Sequence, residues 1–417
     1  MSTGESGLGH ALRAFRHRDF AIFWSGAVVS NSGTWLQGVA VPYVLFEITR
    51  SATWVGLATF AAFIPIMVMG PIGGYLADRR SRRLILVVGQ STAALFALAL
   101  WAVFAAGVRE PWVVLSLTAL MSSAAGITIP SWQAFIPALV PREDLPSAIT
   151  LNSVQFNAAR AIGPATAGIV LASLGPGAAF LLNGLSYVAV VGAVLAVRAT
   201  APPLADGARS LVRGFGEAFS YLTRHAGIWR GIVVAMLVGF VGYPIVQFTV
   251  VYAETVYGVG PQALGVLTGA IGVGAIAVAP VVGGALGDVS RARTVRLALP
   301  VYGLAVAVFG LSTTYGVGIV AVAVAGAGFL AIVATTNTAA QAIVAEHFRG
   351  RVMAIRVMGF TAAYPLGGLL QGWLADRWGP AVVVTAAGSL LVAIGVALAV
   401  RSEWLTPLDD PPEAYAA

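Results

Sequence analysis

Few residues of this 417-residue chain are equipped for chemistry. The four histidines, His10, His17, His225 and His347, lie between apolar segments and show no metal-ligand spacing, and the chain contains no cysteine. The sequence also lacks a phosphate-binding glycine loop and a pair of aspartates within an apolar segment. The sequence therefore lacks the residues for four kinds of chemistry: metal-dependent, thiol-dependent, ATP-driven and intramembrane proteolytic. We expect no enzymatic activity, no metal and no cofactor.

One arginine stands inside an apolar segment. Arg160 lies within "LNSVQFNAARAIGPATAG", residues 151–168, where burying a guanidinium in lipid would cost at least a few kcal/mol. Gln155 and Asn157 keep one stripe of the predicted helix polar. Two interpretations stay open. Arg160 either faces a wet cavity and pairs with an anionic substrate or a titrating carboxylate, or it donates to backbone carbonyls between helices.

The composition predicts the elements that carry these residues. Hydrophobic residues make up 58% of the chain and charged residues 10%, and the mean hydropathy is +0.87. A bilayer core about 30 Å thick takes roughly 20 apolar residues per helix. The sequence predicts twelve such helices and none of the alternating segments of a membrane barrel. Their predicted limits are 20–44, 53–76, 84–107, 112–138, 147–174, 177–197, 231–254, 261–287, 294–314, 316–343, 351–375 and 379–400.

The basic residues are all arginines, and their distribution predicts the topology. With the N-terminus inside, only Arg50, Arg109 and Arg377 fall in outer loops, as expected if positive charge stays in the cytoplasm. Both termini are then cytoplasmic, in a multi-pass protein of the inner (cytoplasmic) membrane. The net charge of +7 follows from this topology, so we expect the lipid bilayer as a partner and no nucleic acid.

An internal repeat divides the chain. "GGYLADRRSRRLIL" at 73–86 recurs about half the chain length later as "GGALGDVSRARTVRL", and "GPATAGIVLASLGP" recurs in degenerate form as "GGLLQGWLADRWGP". The prediction is an all-α fold of two six-helix halves. Residues 1–198 form the first half, 199–230 a cytoplasmic connector with an amphipathic helix, 231–404 the second half, and 405–417 a cytoplasmic tail.

Residues Gly74 to Arg83 resemble the charged loop between the second and third helices of the major facilitator superfamily, apart from Ser81 in place of a glycine. The segments 30–79 and 151–168 resemble the branch that contains the enterobactin exporter and macrolide efflux pumps. The resemblance implies a secondary transporter that exports its substrate from the cytoplasm by alternating access, driven by the proton gradient, and it does not fix the substrate. The uncharged polar residues within the spans, among aromatic and aliphatic residues, favour amphipathic organic compounds, of drug or siderophore type. The alternatives are an importer or facilitator of a small polar metabolite, and a membrane receptor that transports nothing.

The resemblance also implies a conformational switch. Asp78 would accept hydrogen bonds from a helix start near Arg351 in one state and release them in the other; the alternative is a solvated turn without a switching role. We expect Gly74 to permit close approach of a neighbouring helix. A third match, "GWLADRWG" at 372–379, lies at the predicted outer end of its span, and we interpret it as a chance match. The predicted switch residues are Gly74, Asp78, Arg79, Arg82, Arg83, Gly163, Pro164, Gly168 and Asp288.

Polar residues in the first, fourth, fifth, seventh and tenth spans are the predicted substrate contacts, because the first, fourth, seventh and tenth line the pathway in proteins that this chain resembles. They are Arg160, Asn31, Gln37, Gln133, Asn157, Tyr243, Gln247, Asn337 and Gln341. Each could instead join helices by a hydrogen bond. No carboxylate lies at the centre of a span, so Glu47, Glu254 and Asp78, near the ends, are the candidates for proton coupling. We expect a monomer that binds a small-molecule substrate and protons.

Overall fold

The computed structural model describes residues 12–198, 211–282 and 289–411, and these residues contain thirteen α helices and no strand. The helices are α1 (Arg18–Thr49), α2 (Ala52–Arg79), α3 (Arg82–Ala105), α4 (Pro111–Phe135), α5 (Leu145–Ser173), α6 (Gly175–Ala196), α7 (Leu211–Arg224), α8 (Ala226–Thr255), α9 (Pro261–Pro280), α10 (Arg291–Leu311), α11 (Tyr315–Ile343), α12 (Glu346–Trp378) and α13 (Pro380–Val400). The predicted all-α polytopic class is confirmed.

Ten of the helices in the described residues are long and apolar enough to cross a membrane. The helices α1 and α5, with 32 and 29 residues, are also long enough at a rise of about 1.5 Å per residue. They do not reach the same apolar character, because α1 carries Asn31 and Gln37 and α5 carries Arg160. The count of twelve spans therefore stays a prediction, and α1 and α5 are the two helices that it adds to these ten.

Two predicted spans begin too late. The span predicted to start at 231 belongs to α8, which begins at Ala226, and the span predicted to start at 351 belongs to α12, which begins at Glu346. Hydropathy detects only the apolar part of a helix, whereas the backbone hydrogen bonds continue beyond it. Glu346 in the first turn of α12 also suits the positive end of the helix dipole.

The chain divides into two compact units whose boundary falls within a helix. One unit combines α1 with residues 61–198, and the other combines Arg50–Phe60 with the residues from Leu211 onward. The first nine residues of α2 therefore belong to the second unit, and the rest of α2 belongs to the first.

In the first unit, α6 packs against α1 and α3, and α3 packs against α4. Small residues allow α2 and α4 to cross closely. A Cβ added to Gly73 would lie 2.8 Å from the Ile127 Cα, and one added to Gly126 would lie 2.9 Å from the Ile66 Cα. Both distances are too short for a side chain, so glycine is required on each side of this crossing.

The second unit repeats part of this pattern. The helix α10 packs against α13 and α11, in the way that α3 packs against α6 and α4, and α9 packs against α11. Glycines again mark the closest contact, since a Cβ at Gly303 would meet Val392 and one at Gly395 would meet Pro300. The recurrence is consistent with the internal sequence repeat.

The predicted connector and tail both pack onto the second unit. In α7, Ala218 and Leu222 are buried against Ile228 and Val352, while Phe219 is exposed. After α13, Leu405 lies between two short 3-10 turns and Leu408 lies in the second of them, and both are fully buried. The tail predicted from residue 405 therefore starts as a folded segment.

Candidate functional site

Polar side chains join α1 and α5 in the first unit. The Asn31 Nδ2 donates to Gln155 Oε1 at 3.0 Å, and the Gln155 Nε2 donates to Asn152 Oδ1 at 3.3 Å. One turn or more away, the Trp24 indole N–H donates to the Leu151 carbonyl oxygen at 2.9 Å. The stripe predicted from the sequence is therefore a hydrogen-bonded seam, in which Gln155 is almost fully buried.

Arg160 lies on α5 against the indole of Trp35, with its guanidinium carbon 5.9 Å from the ring centroid. The side chain is partly exposed. Among the described residues of the first unit, Arg160 makes no ion pair and no hydrogen bond to a backbone carbonyl. Gly163 makes the approach of α1 possible, since a Cβ there would clash with Trp35. The arginine therefore combines a cation with an aromatic face, on a side chain that the first unit does not fully bury.

The other polar candidates of the first unit divide into two groups. Gln133 on α4 and Asn157 on α5 are exposed, and the Asn157 Nδ2 donates to the carbonyl oxygen of Ser153 in its own helix. Gln37 is 2% exposed, and its Oε1 accepts the Asn183 Nδ2 at 2.6 Å. Gln37 therefore ties α1 to α6, and the structure does not bring it to Arg160.

In the second unit, Tyr243 follows a π-helical stretch, Val238–Gly242, that interrupts α8. A π-helical turn contains one more residue than an α-helical turn, so it changes the direction in which the following side chains point. The Tyr243 ring lies 4.4 Å from Phe329, 4.5 Å from Tyr364 and 5.7 Å from Phe360, centroid to centroid. These four rings, which we call the aromatic cluster, bring together α8, α11 and α12.

Gln247 is buried between helices. Its Oε1 accepts the Thr59 hydroxyl at 2.9 Å, and its Nε2 donates to the Gly368 carbonyl oxygen at 2.8 Å. Both ends of the amide are thus satisfied within the unit. Gln341 is exposed near the end of α11, and Asn337 is partly exposed one turn earlier.

Arg356 is a buried residue that the sequence analysis missed as a site candidate. The arginine distribution counts it among the cytoplasmic arginines, but it lies ten residues inside α12 and is 7% exposed. Its guanidinium donates to the Val333 carbonyl oxygen and to Asn337 Oδ1 on α11. The available signal was its spacing of one turn from the buried Val352.

Two arginines of the predicted switch loop donate hydrogen bonds to carbonyl oxygens at the ends of neighbouring helices. The Arg82 guanidinium donates to the Ala134 carbonyl oxygen at 3.2 Å, and the Arg83 guanidinium donates to the Leu195 carbonyl oxygen at 2.5 Å. Arg79 lies over the Tyr75 ring at 4.0 Å. Asp78 is exposed at the end of α2.

The prediction that Gly74 permits a close helix approach is wrong for the described residues. A Cβ at Gly74 would meet nothing within 4 Å, whereas the neighbouring Gly73 makes the contact with α4. Gly163, Pro164 and Gly168 are buried in α5. Asp288 lies outside the described residues.

The helix start that Asp78 was predicted to engage is held by α7 within the second unit. The Tyr221 hydroxyl oxygen accepts the Ala345 N–H at 3.0 Å, immediately before α12. Glu217 forms an ion pair with Arg351 at 3.3 Å. The connector thereby supplies both a hydrogen-bond acceptor and a carboxylate to the first turns of α12.

The acidic candidates for proton coupling occupy different surroundings. Glu47 is exposed and lines a cleft of about 290 Å³ together with Phe104 and Arg109. Glu254 forms an ion pair with Arg50 at 3.3 Å, and its side chain is 20% exposed. Among the described residues, no group of three or more histidine or acidic side chains is arranged to hold a metal ion.

Asp376, within the segment 372–379 that we interpret as a chance match to the charged loop, makes a defined contact of its own. Its carboxylate accepts hydrogen bonds from the Ala52 and Thr53 N–H groups, at 2.6 and 3.0 Å, and from the Ser51 and Thr53 hydroxyls. An aspartate at the end of α12 therefore caps the start of α2. Sequence alone could not pair these positions, which lie more than 300 residues apart.

Comparison with known proteins agrees with this architecture. Residues 10–410 match the family model described as transmembrane secretion effector. Macrolide efflux protein A of Streptococcus pyogenes is 23% identical over 90% of this chain and 94% of its own length. The staphyloferrin A transporter of Staphylococcus aureus is 22% identical over 86% of this chain and 89% of its own length.

A solved structure shares the fold. The crystal structure of a bacterial homologue of the human lysosomal transporter Spinster, in an inward-facing and unoccupied conformation, superposes with a TM-score of 0.71 at 14% identity, covering 94% of this chain and 97% of that one. The chain therefore belongs to the transmembrane secretion effector family of the major facilitator superfamily, and it is a multi-pass membrane transporter of small molecules rather than an enzyme.

Proposed function

We propose that this transporter exports amphipathic organic compounds, of drug or siderophore type, from the cytoplasm by alternating access, driven by the inward proton gradient. The observation that carries the proposal is Arg160, a partly exposed cation on an indole face within a polar helix of a membrane protein. A membrane protein retains such a charge where it meets a partner or water.

The surroundings of the candidate residues support this substrate class. Arg160 and Trp35 offer a cation beside an aromatic face, and the exposed Gln133 and Asn157 offer uncharged polar groups. In the second unit, Tyr243 and Phe360 of the aromatic cluster are partly exposed and offer ring faces, while Phe329 and Tyr364 are buried behind them. Rings with a few polar groups suit organic molecules that have both apolar and polar parts, and they suit small inorganic ions poorly. The efflux and siderophore activities in the names of relatives agree with this class.

Proton coupling requires a carboxylate that binds a proton from one side of the membrane and releases it to the other side. Glu254 is the candidate we prefer, because its side chain is only 20% exposed and its carboxylate lies 3.3 Å from the Arg50 guanidinium. Asp78 retains its proposed role as a switch at the end of α2, where its exposure leaves it free to find a helix start in another conformation.

Arg160 provides the test of this function. Arg160→Gln is expected to lower efflux of an anionic dye roughly tenfold or more, because a hydrogen bond to a charged group contributes about 1.5–3 kcal/mol. Efflux of the cation ethidium should change little. Arg160→Lys should recover part of the loss, since lysine keeps the charge and loses the planar set of donors. Efflux is measured in cells that lack their own pumps.

The matched control is Arg109→Gln. Arg109 also stacks on an aromatic ring, that of Phe104 at 3.5 Å, but it lies in the loop between α3 and α4. The Arg109→Gln variant should export both dyes at rates within about twofold of the wild type. If Arg160→Gln reduces efflux of both dyes equally and in proportion to a fall in melting temperature, Arg160 only joins helices and the proposal loses its main support.

A further inference from the structure

A buried arginine holds one amide of the second unit in a fixed orientation. Arg356 donates to Asn337 Oδ1 at 3.1 Å, to the Val333 carbonyl oxygen at 2.9 Å and to Thr336 Oγ1 at 3.4 Å. All three acceptors lie on α11. A guanidinium has donors and no acceptor, so it can face only the oxygen of an amide. The Asn337 Nδ2 therefore points away from Arg356.

The Asn337 amide nitrogen is available to a ligand. Asn337 is partly exposed, and its Nδ2 makes no hydrogen bond within the described part of the second unit. Two N–H donors thus face away from the helix contact in one fixed direction. A solute that carries oxygen acceptors could bind them without any rearrangement of the protein.

Helix packing alone does not require a cation at position 356. Gln371, also buried on α12, joins that helix to the Phe240 and Val241 carbonyl oxygens with an uncharged amide. Arg356 costs more, because its charge is buried and its Nε has no partner among the described residues. The guanidinium fixes the orientation of the Asn337 amide, because it can only donate. A neutral amide at position 356 could both donate and accept, so the Asn337 amide could then take either of its two flipped orientations.

We propose that Arg356 is a positioning residue that keeps the Asn337 N–H groups turned toward the substrate. The site then selects solutes rich in carbonyl, hydroxyl or carboxylate oxygens. This inference rests on the proposed export function and adds a specificity determinant to it.

Asn337→Asp tests the proposal directly, because aspartate keeps an oxygen for Arg356 and removes both donors. The probes are chloramphenicol, which is uncharged and rich in oxygen acceptors, and ethidium, which has none. We expect an unchanged or higher melting temperature, a KM for chloramphenicol raised about tenfold, as expected for lost hydrogen bonds, and little loss for ethidium. A wild-type KM for chloramphenicol in this variant would overturn the proposal.

Arg356 variants separate positioning from packing. Arg356→Gln allows the Asn337 amide to turn, so the KM for chloramphenicol alone should rise severalfold, and Arg356→Lys should restore part of it because lysine also only donates. The control, Gln371→Ala, should lower the melting temperature without distinguishing the two probes. Equal losses for both probes in the Arg356 variants would make Arg356 a packing residue. If the wild-type protein exports neither probe nor any other compound, the export function itself fails.

A second, independent observation concerns two aspartates that cap helix starts in the same way. Asp376 Oδ1 accepts the Ala52 N–H at 2.6 Å, and its Oδ2 accepts the Thr53 N–H at 3.0 Å and the Ser51 hydroxyl at 2.5 Å. Each carboxylate oxygen thus bonds to a backbone donor that the helix cannot satisfy, at the positive end of its dipole.

Asp409 repeats this geometry at the start of α10. Its Oδ1 accepts the Arg291 N–H at 2.6 Å, and its Oδ2 accepts the Ala292 N–H at 3.3 Å and the Ser290 hydroxyl at 2.5 Å. Each carboxylate thus accepts two backbone N–H groups and one serine hydroxyl, and both carboxylates are exposed. Asp376 accepts one further hydrogen bond, from the Thr53 hydroxyl.

The two caps differ in the helix that they hold. Asp409 and α10 both belong entirely to the second unit. The helix α2 belongs to the second unit only through Phe60 and continues in the first unit from Ala61. Glycines allow this first part of α2 to lie directly on α12, since a Cβ at Gly56 would meet the Gly368 backbone. Asp376 thus anchors a helix that the two units share.

We infer that Asp376 is a releasable anchor of α2, made in this conformation and broken in the opposite conformation of the transport cycle. Its exposure makes release cheap, because water can replace the lost donors. Asp409 has no such function, because buried Leu405 and Leu408 fix its segment in place.

The absence of cysteine in the chain allows clean spin labelling at Glu110 and Thr255, one in each unit. Asp376→Asn keeps the shape of the side chain and loses its charge. The distance between the two labels should have two populations, one for each conformation of the transport cycle. The variant should shift their ratio about fivefold away from the conformation in which Asp376 caps α2. Asp409→Asn should lower the melting temperature without shifting the balance. An unchanged balance in Asp376→Asn, or an equal shift in Asp409→Asn, would overturn the inference. If Asp376→Asn fails to fold, Ser51→Ala with Thr53→Ala removes two donors and should shift the balance in the same direction.

Discussion

At the scale of single residues, the charges of the loop after α2 act on helix ends. Arg82 and Arg83 each donate to a carbonyl oxygen in the last turn of a neighbouring helix, at Ala134 and Leu195. These carbonyls have no partner within their own helix, and the negative end of the helix dipole favours a cation. The crowding of arginines therefore fixes the ends of three helices at one surface.

A second cluster of charges predicts a pH-dependent stability. The His17 imidazole, 2.7 Å from Asp144, lowers the pKa of that carboxyl below its ordinary 3.8, against burial that raises it, and Arg13 adds to the lowering. A lowered pKa in the folded protein means that the ionised carboxylate stabilises the fold above the ordinary value, and that this stability is lost as the pH falls toward the folded pKa.

The corresponding variant is Asp144→Asn. It should lower the melting temperature in detergent at pH 7, and its difference from the wild type should shrink as the pH falls below about 4. The neighbouring exposed Glu143 provides the control, because Glu143→Gln should change the melting temperature little at any pH. A difference for Asp144→Asn that is the same at pH 7 and pH 3 would contradict the account.

Sequence patterns predicted which residues are polar inside helices, and they did not predict their partners. Asn31 on α1 bonds to Gln155 of the predicted stripe on α5, but Gln37 turns into the contact with α6, where Asn183 satisfies its oxygen. Arg356 was missed because a charge near a predicted span end looks the same whether the helix stops or continues. Asp376 was missed because its partners lie at the other end of the chain.

At the scale of elements, hydropathy predicted the helices well and their starts less well. Both α8 and α12 begin five residues before the apolar run, because polar first turns are tolerated wherever water or a cap satisfies them. The π-helical stretch in α8 left no signal that hydropathy could detect. Glycine-rich patterns indicated where helices approach each other closely, but the glycine of α2 that makes the close contact is Gly73 rather than Gly74.

The adjacent glycines of α2 give a direct test of this packing. Gly73→Ala should destabilise the protein by about 1–3 kcal/mol, because its Cβ would overlap the Ile127 backbone. Gly74→Ala should be neutral or stabilising by up to about 1 kcal/mol, since alanine favours the helix and meets open space. Thermal unfolding of the two variants decides the point. Equal destabilisation would show that the close contact has been assigned to the wrong residue.

At the scale of the whole molecule, the sequence repeat corresponds to two units with related packing, in which α3 and α10 take equivalent positions. The unit boundary does not follow the predicted halves, because the first residues of α2 belong with α12. Contacts between distant segments decide such a boundary, and neither composition nor spacing carries that information. Topology, by contrast, depends on the local distribution of charge along the sequence, and the cytoplasmic location of both termini stays a prediction from that distribution.

The measurement that tests the account most directly uses purified protein in liposomes with an imposed pH gradient. Ethidium or chloramphenicol should be moved against its own concentration gradient when protons flow the opposite way, and an ionophore that removes the pH gradient should abolish the movement. Asp78→Asn liposomes serve as the impaired control. Movement only down the substrate gradient, at a rate that the pH gradient does not change, would contradict proton-driven export and would identify the protein as a facilitator.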